Sequence, residues 1–449
     1  MKIFENVASM KLATLTAGQL VETKGYYSPG DGGQARYLIQ TAVDYGSTPD
    51  EYGNHTLANG NVAVLQYEGD VNVAWFGAVG DGATDNAGAA QAALGKGNIY
   101  LLPGAYRSLS TLVVPQGRVI SGYGAKIYND VSHAAILNVE SDCEIYGVEF
   151  EGFGNSIYDP AGIGITFTGD DVSNYKQNLR IIDCTFSSFG FGALSTSFAK
   201  NVEVSNCRIT ECGYVGVGAS SAEGINISNC EIDTISPGTG GNAYGVFFTR
   251  ANNTDISTNP SSKYCSVKNS TIKNNAIWEA LDTHGGENIE FIGNTIINCR
   301  VGVALVNSTG LSAAEEYSPK NIMVKDNYMV GIGTGEGVGV EGVSGNSAEN
   351  ILIQGNILDS CGILGSSYST GAIEIMSYTK NVSIKNNIIK NSYNNGIANT
   401  GVSNVNLIIS DNIVEDVTSD LYANSSGIYL YGYQSDGIVS NNIIKARGS

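Results

Sequence analysis

The sequence predicts an all-β chain wound as a right-handed parallel β-helix, a solenoid, with a small β-rich head and a capping helix near its amino-terminal end. Three observations carry this expectation. A loose repeat with spacings of 23 to 40 residues runs from Asn178 onward. Each repeat shows strand alternation and no helical periodicity. The composition is turn-rich, with 57 Gly and only 8 Pro in 449 residues. Strand-bearing repeats of this length stack because a single unit cannot bury its own apolar face.

Composition also removes several classes of function. A balance of 24 basic against 43 acidic residues, net −19, argues against nucleic acid or an anionic membrane as partner, although acidity also simply keeps a long β-chain soluble. No apolar run approaches the roughly 20 residues that span a bilayer, so membrane insertion is not expected. The start, MKIFENVASMKLATLTAGQ, has no apolar segment of signal-peptide type, and Sec export is not expected. The eight Cys form no CxxC pair and have no His at metal spacing, so neither a metal nor another cofactor is expected.

Residues 1–70 read as a β-rich head. TKGYYSPGDGGQARYLIQT sets a Gly-Asp-Gly-Gly turn between strands, and HTLANGNVAVLQ adds a hairpin. The β-helix is expected over 71–449, beginning with a capping segment at 71–98. There VNVAWFGAVGDGATDNAGAAQAAL gives a strand, a Gly-Asp-Gly loop and a short helix capped near Asp85. Such a helix would cover the first coil's otherwise open pairing edge.

The strings GYYSPGDGGQARYLI, VAWFGAVGDGATDNAGAAQAAL and YLLPGAYR together resemble the entry into bacteriophage tailspike proteins of the pectate-lyase-like β-helix superfamily. As architecture the resemblance covers essentially the whole chain, and as a motif residues 20–110. Asn86 stands where the commoner form of the loop has a second Asp, which touches only local capping. The resemblance implies a homotrimer on the virion, joined by its amino-terminal part to the phage tail, baseplate or another tail fibre. It also implies cleavage of a bacterial surface polysaccharide, whether capsule, exopolysaccharide or O-antigen, outside the host cell.

From Asn178 the coils align on one polar column: Cys184, Cys207, Cys230, Ser270, Asn294, Asn327, Asn356, Asn387, Asn412 and Asn442. Asn side chains repeated at one turn can bond from coil to coil, and the three Cys become buried space-fillers rather than disulfides. The second strand of each unit aligns on a small residue followed by an apolar one. That register sends Val246, Leu281, Val303, Val338, Ile373, Ile397 and Ile428 inward. Phe247, Asp282, Ala304, Gly339, Glu374, Ala398 and Tyr429 then face outward, to water. Inserts around 236–244, 251–262, 308–318 and 361–370 are expected as surface loops walling a groove.

Glycoside cleavage asks for two carboxyls, one to protonate the leaving oxygen and one to act as base or nucleophile. The catalytic and binding coils are expected within about 178–449, and two clusters on the outward face offer such acids. Asp282 and His284 share the face, with Glu279 just before the strand and Trp278 and Arg300 on its flank. Glu341 and Glu374 lie one coil and two residues apart, about 8 Å between α-carbons, a separation that suits an inverting hydrolase. Arg250, Tyr429 and Tyr431 either line subsites or are plain surface. Outward acids are often only solvated, and His284 before Gly285-Gly286 can simply cap a turn. Hydrolysis is the expected reaction. Elimination remains open, with His284 as base and Arg250 or Arg300 against a uronate, as does a glycan-binding adhesin without catalysis. The repeat runs on to NNIIKARGS with no terminal cap in view, so either truncation or cover by partner subunits is expected there.

Overall fold

The structure, a computed structural model, describes residues 1–130, 135–154, 158–236, 241–252, 254–308, 316–332, 334–363, 370–417, 425–431 and 434–445. The centres of three expected inserts (237–240, 309–315 and 364–369) and the terminal 446–449 lie outside the described residues. By internal packing the chain divides into two units, Met1–Phe153 with Leu179–Thr185, and Gly154–Asn178 with Phe186–Ser449.

The first unit opens with a five-stranded sheet. Its order is Lys2–Phe4, Leu20–Thr23, Ala35–Gln40, Val62–Gln66 and His55–Thr56, with only the first pair parallel. The Gly-Asp-Gly-Gly turn is built around Asp31, whose carboxylate accepts from the amides of Tyr26, Tyr27, Ser28 and Gly33 at 2.8 to 3.0 Å. The helix Ala87–Leu94 follows, and Gln91 explains how it covers an edge. Its side-chain amide donates to Val113 O and accepts from Val113 N, both at 2.8 Å, standing in for a neighbouring strand. Asn86 occupies the cap position without bonding the helix. It closes the Gly-Asp-Gly loop instead, accepting from Val79 N at 2.6 Å and donating to Val79 O and Thr84 O. Capping falls to Asp85, which accepts from Ala87 N at 3.1 Å.

The second unit is a parallel β-helix of three sheets. The first holds ten parallel strands from Ile163–Thr168 to Ser426–Leu430, among them Tyr244–Thr249, Glu279–His284, Val301–Val306, Val338–Val340, Gly371–Ile375 and Asn395–Asn399. The second and third sheets alternate along the chain, from Ala199–Ser205 to Ile438–Ser440 and from Arg208–Cys212 to Ile443–Lys445. Side chains such as Ile225, Val267, Phe291, Ile353 and Ile384 fill the interior and are fully buried.

The Asn column is an unbroken ladder. Each side-chain amide donates to the next coil's Asn Oδ1, from Asn294 through Asn327, Asn356, Asn387 and Asn412 to Asn442, at 2.9 to 3.1 Å. The same oxygens accept the preceding Asn backbone N–H at 2.8 to 3.0 Å. The second amide hydrogen goes back to a carbonyl of the coil before, as Asn356 does to Val324 O at 2.9 Å. No polar atom of the amide is left unused. All eight cysteines are free and buried. A second ladder lies outside, at turn residues with left-handed backbone: Asn321, Asn350, Asn381 and Asn406, φ 55 to 60°, linked at 2.8 to 2.9 Å.

Replacing Asn356 by Ala strips partners from Asn327 N, Asn327 Nδ2 and Val324 O at once. The expected cost is about 3 kcal/mol or more, read as a shift in denaturant midpoint at unchanged slope. Asn442→Ala, at the end of the ladder, should cost distinctly less.

Candidate active site

The face sheet has the register expected from the sequence. Val246, Leu281, Val303, Val338, Ile373, Ile397 and Ile428 stand side by side, and so do Phe247, Asp282, Ala304, Gly339, Glu374, Ala398 and Tyr429. The small residue before each inward one is required by space. A Cβ at Gly245 would meet Ile272 Cγ2 at 2.7 Å, and one at Gly302 would meet Met329 Sδ at 2.9 Å.

Asp282 departs from expectation in one respect. It lies on the outward side, yet its carboxylate is 0% exposed and neither oxygen has a hydrogen-bond donor. Phe247 on the preceding coil and His284 on its own strand flank it. Burial alone drives its acid dissociation far above the ordinary carboxylate range.

His284 Nε2 stands 3.4 Å from Asp282 Oδ2, and Nδ1 lies 3.1 Å from Asn307 O. A carbonyl can only accept, so Nδ1 carries a hydrogen and Nε2 is the atom that exchanges a proton with Asp282. The turn behind it is held by Thr283, which donates to Phe248 O at 2.9 Å and accepts from Gly286 N at 3.0 Å. Gly285 has φ +68°, and a Cβ there would meet Tyr317 O at 2.7 Å.

Glu279 completes the group. It is 8% exposed, and its Oε2 is buried with no donor. Burial first, then the neighbouring Asp282, push its carboxyl up to about 8, while His284 and Arg300 pull the other way. Asn275 fixes the strand start by donating to Glu279 O at 2.7 Å and Ala243 O at 2.9 Å. One ligand-capable atom each of Glu279, Asp282 and His284 lies within 4.8 Å of the others. That set of two oxygens and a nitrogen has the chemistry to hold a divalent cation, which the Cys and His spacing gave no reason to expect.

The pocket over this group has a volume of about 420 Å³ and is lined by Tyr214, Tyr244, Phe247, Thr249, Asp282 and His284, among others. Its aromatic side escaped the sequence reading. Five rings adjoin one another: Tyr158, Phe191, Tyr214, Tyr244 and Phe247, with successive centroids 5.0 to 6.1 Å apart. Phe247 lies back over Gly218, where a Cβ would touch its ring at 2.6 Å. Burial first, and then charges that include Asp282 and Glu279, raise the phenols of Tyr214 and Tyr244.

The second cluster differs from the pairing expected. Glu374 is 6% exposed and accepts from Thr400 Oγ1 at 2.8 Å. The carboxyl that faces it is that of Glu336, unremarked in the sequence reading, and Glu341 adds a weaker repulsion. Burial and then Glu336 push Glu374 up to about 8. Burial raises the half-buried Glu341 as well. By register Glu374 is three coils from Asp282, about 14 Å, so the two clusters cannot act on one bond.

A titration consequence follows. Folded Glu374 keeps its proton to about pH 8, whereas in the unfolded chain it ionises near 4.5. The stability it contributes is complete below 4.5 and is lost as pH rises to 8. Glu374→Gln should therefore flatten part of the fall in melting temperature between pH 4.5 and 8, checked by thermal scans across that range.

Of three expected binding residues, Arg250 sits otherwise than foreseen, while Tyr429 and Tyr431 lie on the expected face but far from the reacting group. Arg250 is 4% exposed, and its guanidinium donates to Asn259 O at 2.9 Å and to Thr254 O. It holds the loop that follows it because those carbonyls offer the partners a buried cation needs. Tyr429 and Tyr431 stack at 6.3 Å, with Tyr431 64% exposed, but Tyr429 is five coils from Asp282, about 24 Å. Trp278 and Arg300 do form a flank, the guanidinium 4.4 Å from the ring and donating to Ile277 O at 3.2 Å. The ten strands of this face contain no Lys or Arg at all.

The family described as right-handed beta helix region matches residues 117–259 and 152–318. The chain is a right-handed parallel β-helix. Solved β-helix structures repeat this fold at low identity. One is the catalytic unit of a GH87 alpha-1,3-glucanase from Streptomyces thermodiastaticus, with 16% identity, 85% of this chain and 74% of that one covered, and TM-score 0.57. A second is tailspike gp49 of Acinetobacter baumannii bacteriophage Fri1, a capsular polysaccharide depolymerase, with 12% identity, 100% and 76% covered, and TM-score 0.53. A third is PfbA, a surface adhesin of Streptococcus pneumoniae, with 15% identity, 83% and 91% covered, and TM-score 0.52. No curated protein matches the sequence.

Proposed function

We propose that this β-helix is a polysaccharide depolymerase that hydrolyses glycosidic bonds at Glu279, Asp282 and His284. The observation that carries the reading is two buried carboxyls and an imidazole gathered within 4.8 Å beside an aromatic-lined pocket. Like charges this close and this dry do not both ionise, so the pair keeps a proton at neutral pH. Asp282, wholly buried, holds that proton and delivers it to the glycosidic oxygen. Glu279, whose anion is favoured by Arg300 and His284, attacks the anomeric carbon. The close separation suits a nucleophile more than a base acting through an interposed water, and so retention of configuration. Asp282, left as the carboxylate, then takes a proton from the water that breaks the glycosyl–Glu279 ester, so both carboxyls return to their starting states, with His284 Nε2 beside Asp282 as proton acceptor.

β-Elimination is the competing chemistry. It needs cationic or hydrogen-bonding neutralisation of a uronate. A face whose strands lack Lys and Arg, and an Arg250 already engaged, supply little of it. The tailspike neighbours support a place on a phage virion with a bacterial surface glycan as substrate, and the resemblance over residues 20–110 adds a trimer attached through the residue 1–70 head. The adhesin among the neighbours keeps a binding-only role as the alternative.

The test is digestion of a panel of bacterial polysaccharides with product analysis. New reducing ends without absorbance at 235 nm, and retained anomeric configuration by NMR, are expected. Unsaturated products would replace hydrolysis by elimination, and binding without any cleavage would replace catalysis by adhesion.

A further inference from the structure

The aromatic run leads to the reacting group from one side only. Tyr158, Phe191, Tyr214 and Tyr244 come from successive coils of the face sheet's near side, and Phe247 ends the run on the strand beside Asp282. Phe191 and Tyr214 are parallel, 5.0 Å apart at 25°, while the other pairs meet edge to face or tilted. Tyr158 is 40% exposed, and Phe191, Tyr214 and Phe247 are each part-exposed, so the wall presents ring surface rather than hiding it. Tyr244 is buried and braces the others, its hydroxyl accepting from Asn242 Nδ2 at 2.8 Å. With coils about 4.8 Å apart, four coils of aromatic surface extend some 14 Å or more, the length of about three sugar rings.

Charge decides what can lie there. The strands of this face carry Glu279, Asp282 and Glu374 and no Lys or Arg, with His284 their one imidazole, and Glu336 and Glu341 flank them. Lys and Arg sit on the other two sheets, at Lys200, Arg208, Lys268, Lys273, Lys325 and Lys385 among others. The acids of this face would repel a uronate, sulfate or phosphate-bearing chain, and the flanking Arg300 is already held against Trp278 and Ile277 O, whereas the apolar faces of uncharged pyranose rings pack well on aromatic rings.

We infer that Tyr158, Phe191, Tyr214 and Phe247 form a run of subsites for uncharged sugar rings, neutral hexoses or N-acetylated amino sugars, on one side of the scissile bond. This rests on the glycan-cleaving reading above and adds to it the substrate's charge and the direction in which the longer part of the chain lies. The wall binds non-reacting sugars, so its loss weakens capture of polymer more than turnover of what is captured.

The test uses the full chain with Phe191→Ala, Tyr158→Ala and, as conservative rescue, Phe191→Tyr. Binding is measured by calorimetry on the Asp282→Asn background, with neutral oligosaccharides from a cleaved or bound polymer and with polyuronate oligosaccharides of equal length. Each alanine is expected to weaken neutral-oligosaccharide binding about tenfold and to raise KM on polymer more than it lowers kcat, with Phe191→Tyr restoring most of the affinity. Unchanged affinity in both alanine variants, or tighter binding of polyuronate than of neutral chains, would overturn the inference. Cleavage that persists with wall variants unaffected leaves the hydrolase reading standing without the wall. Wall-dependent binding with no cleavage leaves the wall standing without the hydrolase.

Discussion

Asp282→Asn lowers kcat/KM on polysaccharide by about 10³-fold while leaving the melting temperature unchanged or higher. The activity loss follows from removing the proton delivered to the leaving oxygen, a step of general acid catalysis worth about 10²–10⁴. The stability result follows from the same burial. A carboxyl with 0% exposure and no donor must take up a proton on folding at neutral pH, and Asn keeps its shape without that cost. Activity and stability should therefore move in different directions, which a merely structural Asp would not do. Substrates with leaving groups that need no protonation should lose much less, and this selectivity is the sharpest reading of the acid role. Retention of more than a tenth of the activity on native polymer would remove Asp282 from the chemistry.

Glu279→Ala is expected to lower activity by about 10²–10⁴, with a distinctive remedy. A small external anion such as azide fits the space left by the carboxylate and attacks in its place. Turnover then partly returns, and the product carries the azide with inverted configuration. The pH dependence adds a second check. Glu279 holds its proton to about 8 and must lose it to attack. Activity of the wild type should accordingly rise as pH approaches about 8, and the azide-rescued activity of Glu279→Ala should lack that rise because alanine does not titrate. An unaltered rise in the rescued variant would assign the titration to another group.

Much of this was legible in the sequence because a solenoid turns local pattern directly into neighbourhood. Strand alternation around Val303 and Leu281, with a small residue before each, was enough to set the register, since a slip by one would have driven Asp282 into the core. The Asn column was legible for a similar reason: one residue type recurring at one turn has one neighbour above and one below. The rest depended on contacts that repeat spacing does not encode. Tyr158, Phe191 and Tyr214 precede their strands, at corners where alternation carries no information about direction. Arg250 was expected outward because the loop that takes its guanidinium had no pattern to reveal its path. Asp282 was placed on the correct side of the sheet but not under cover, because strand alternation gives a side chain's face and not its burial. Glu336 stood in plain view in EGVGVEG, yet only the offset between coils brings it against Glu374.

The regular stacking has a consequence for how such an enzyme can change. Stacked coils place any two side chains on a grid, with steps of about 4.8 Å along the axis and about 3.4 Å along a strand. Distances between acids on different coils can therefore be altered only in whole increments, by gaining or losing an entire turn of the chain. Glu279 and Asp282 escape that quantisation because they stand three apart on one strand, with ligand-capable atoms within 4.8 Å. A change of twist at the start of that strand adjusts their separation continuously, so reaction geometry can drift there without rebuilding the scaffold.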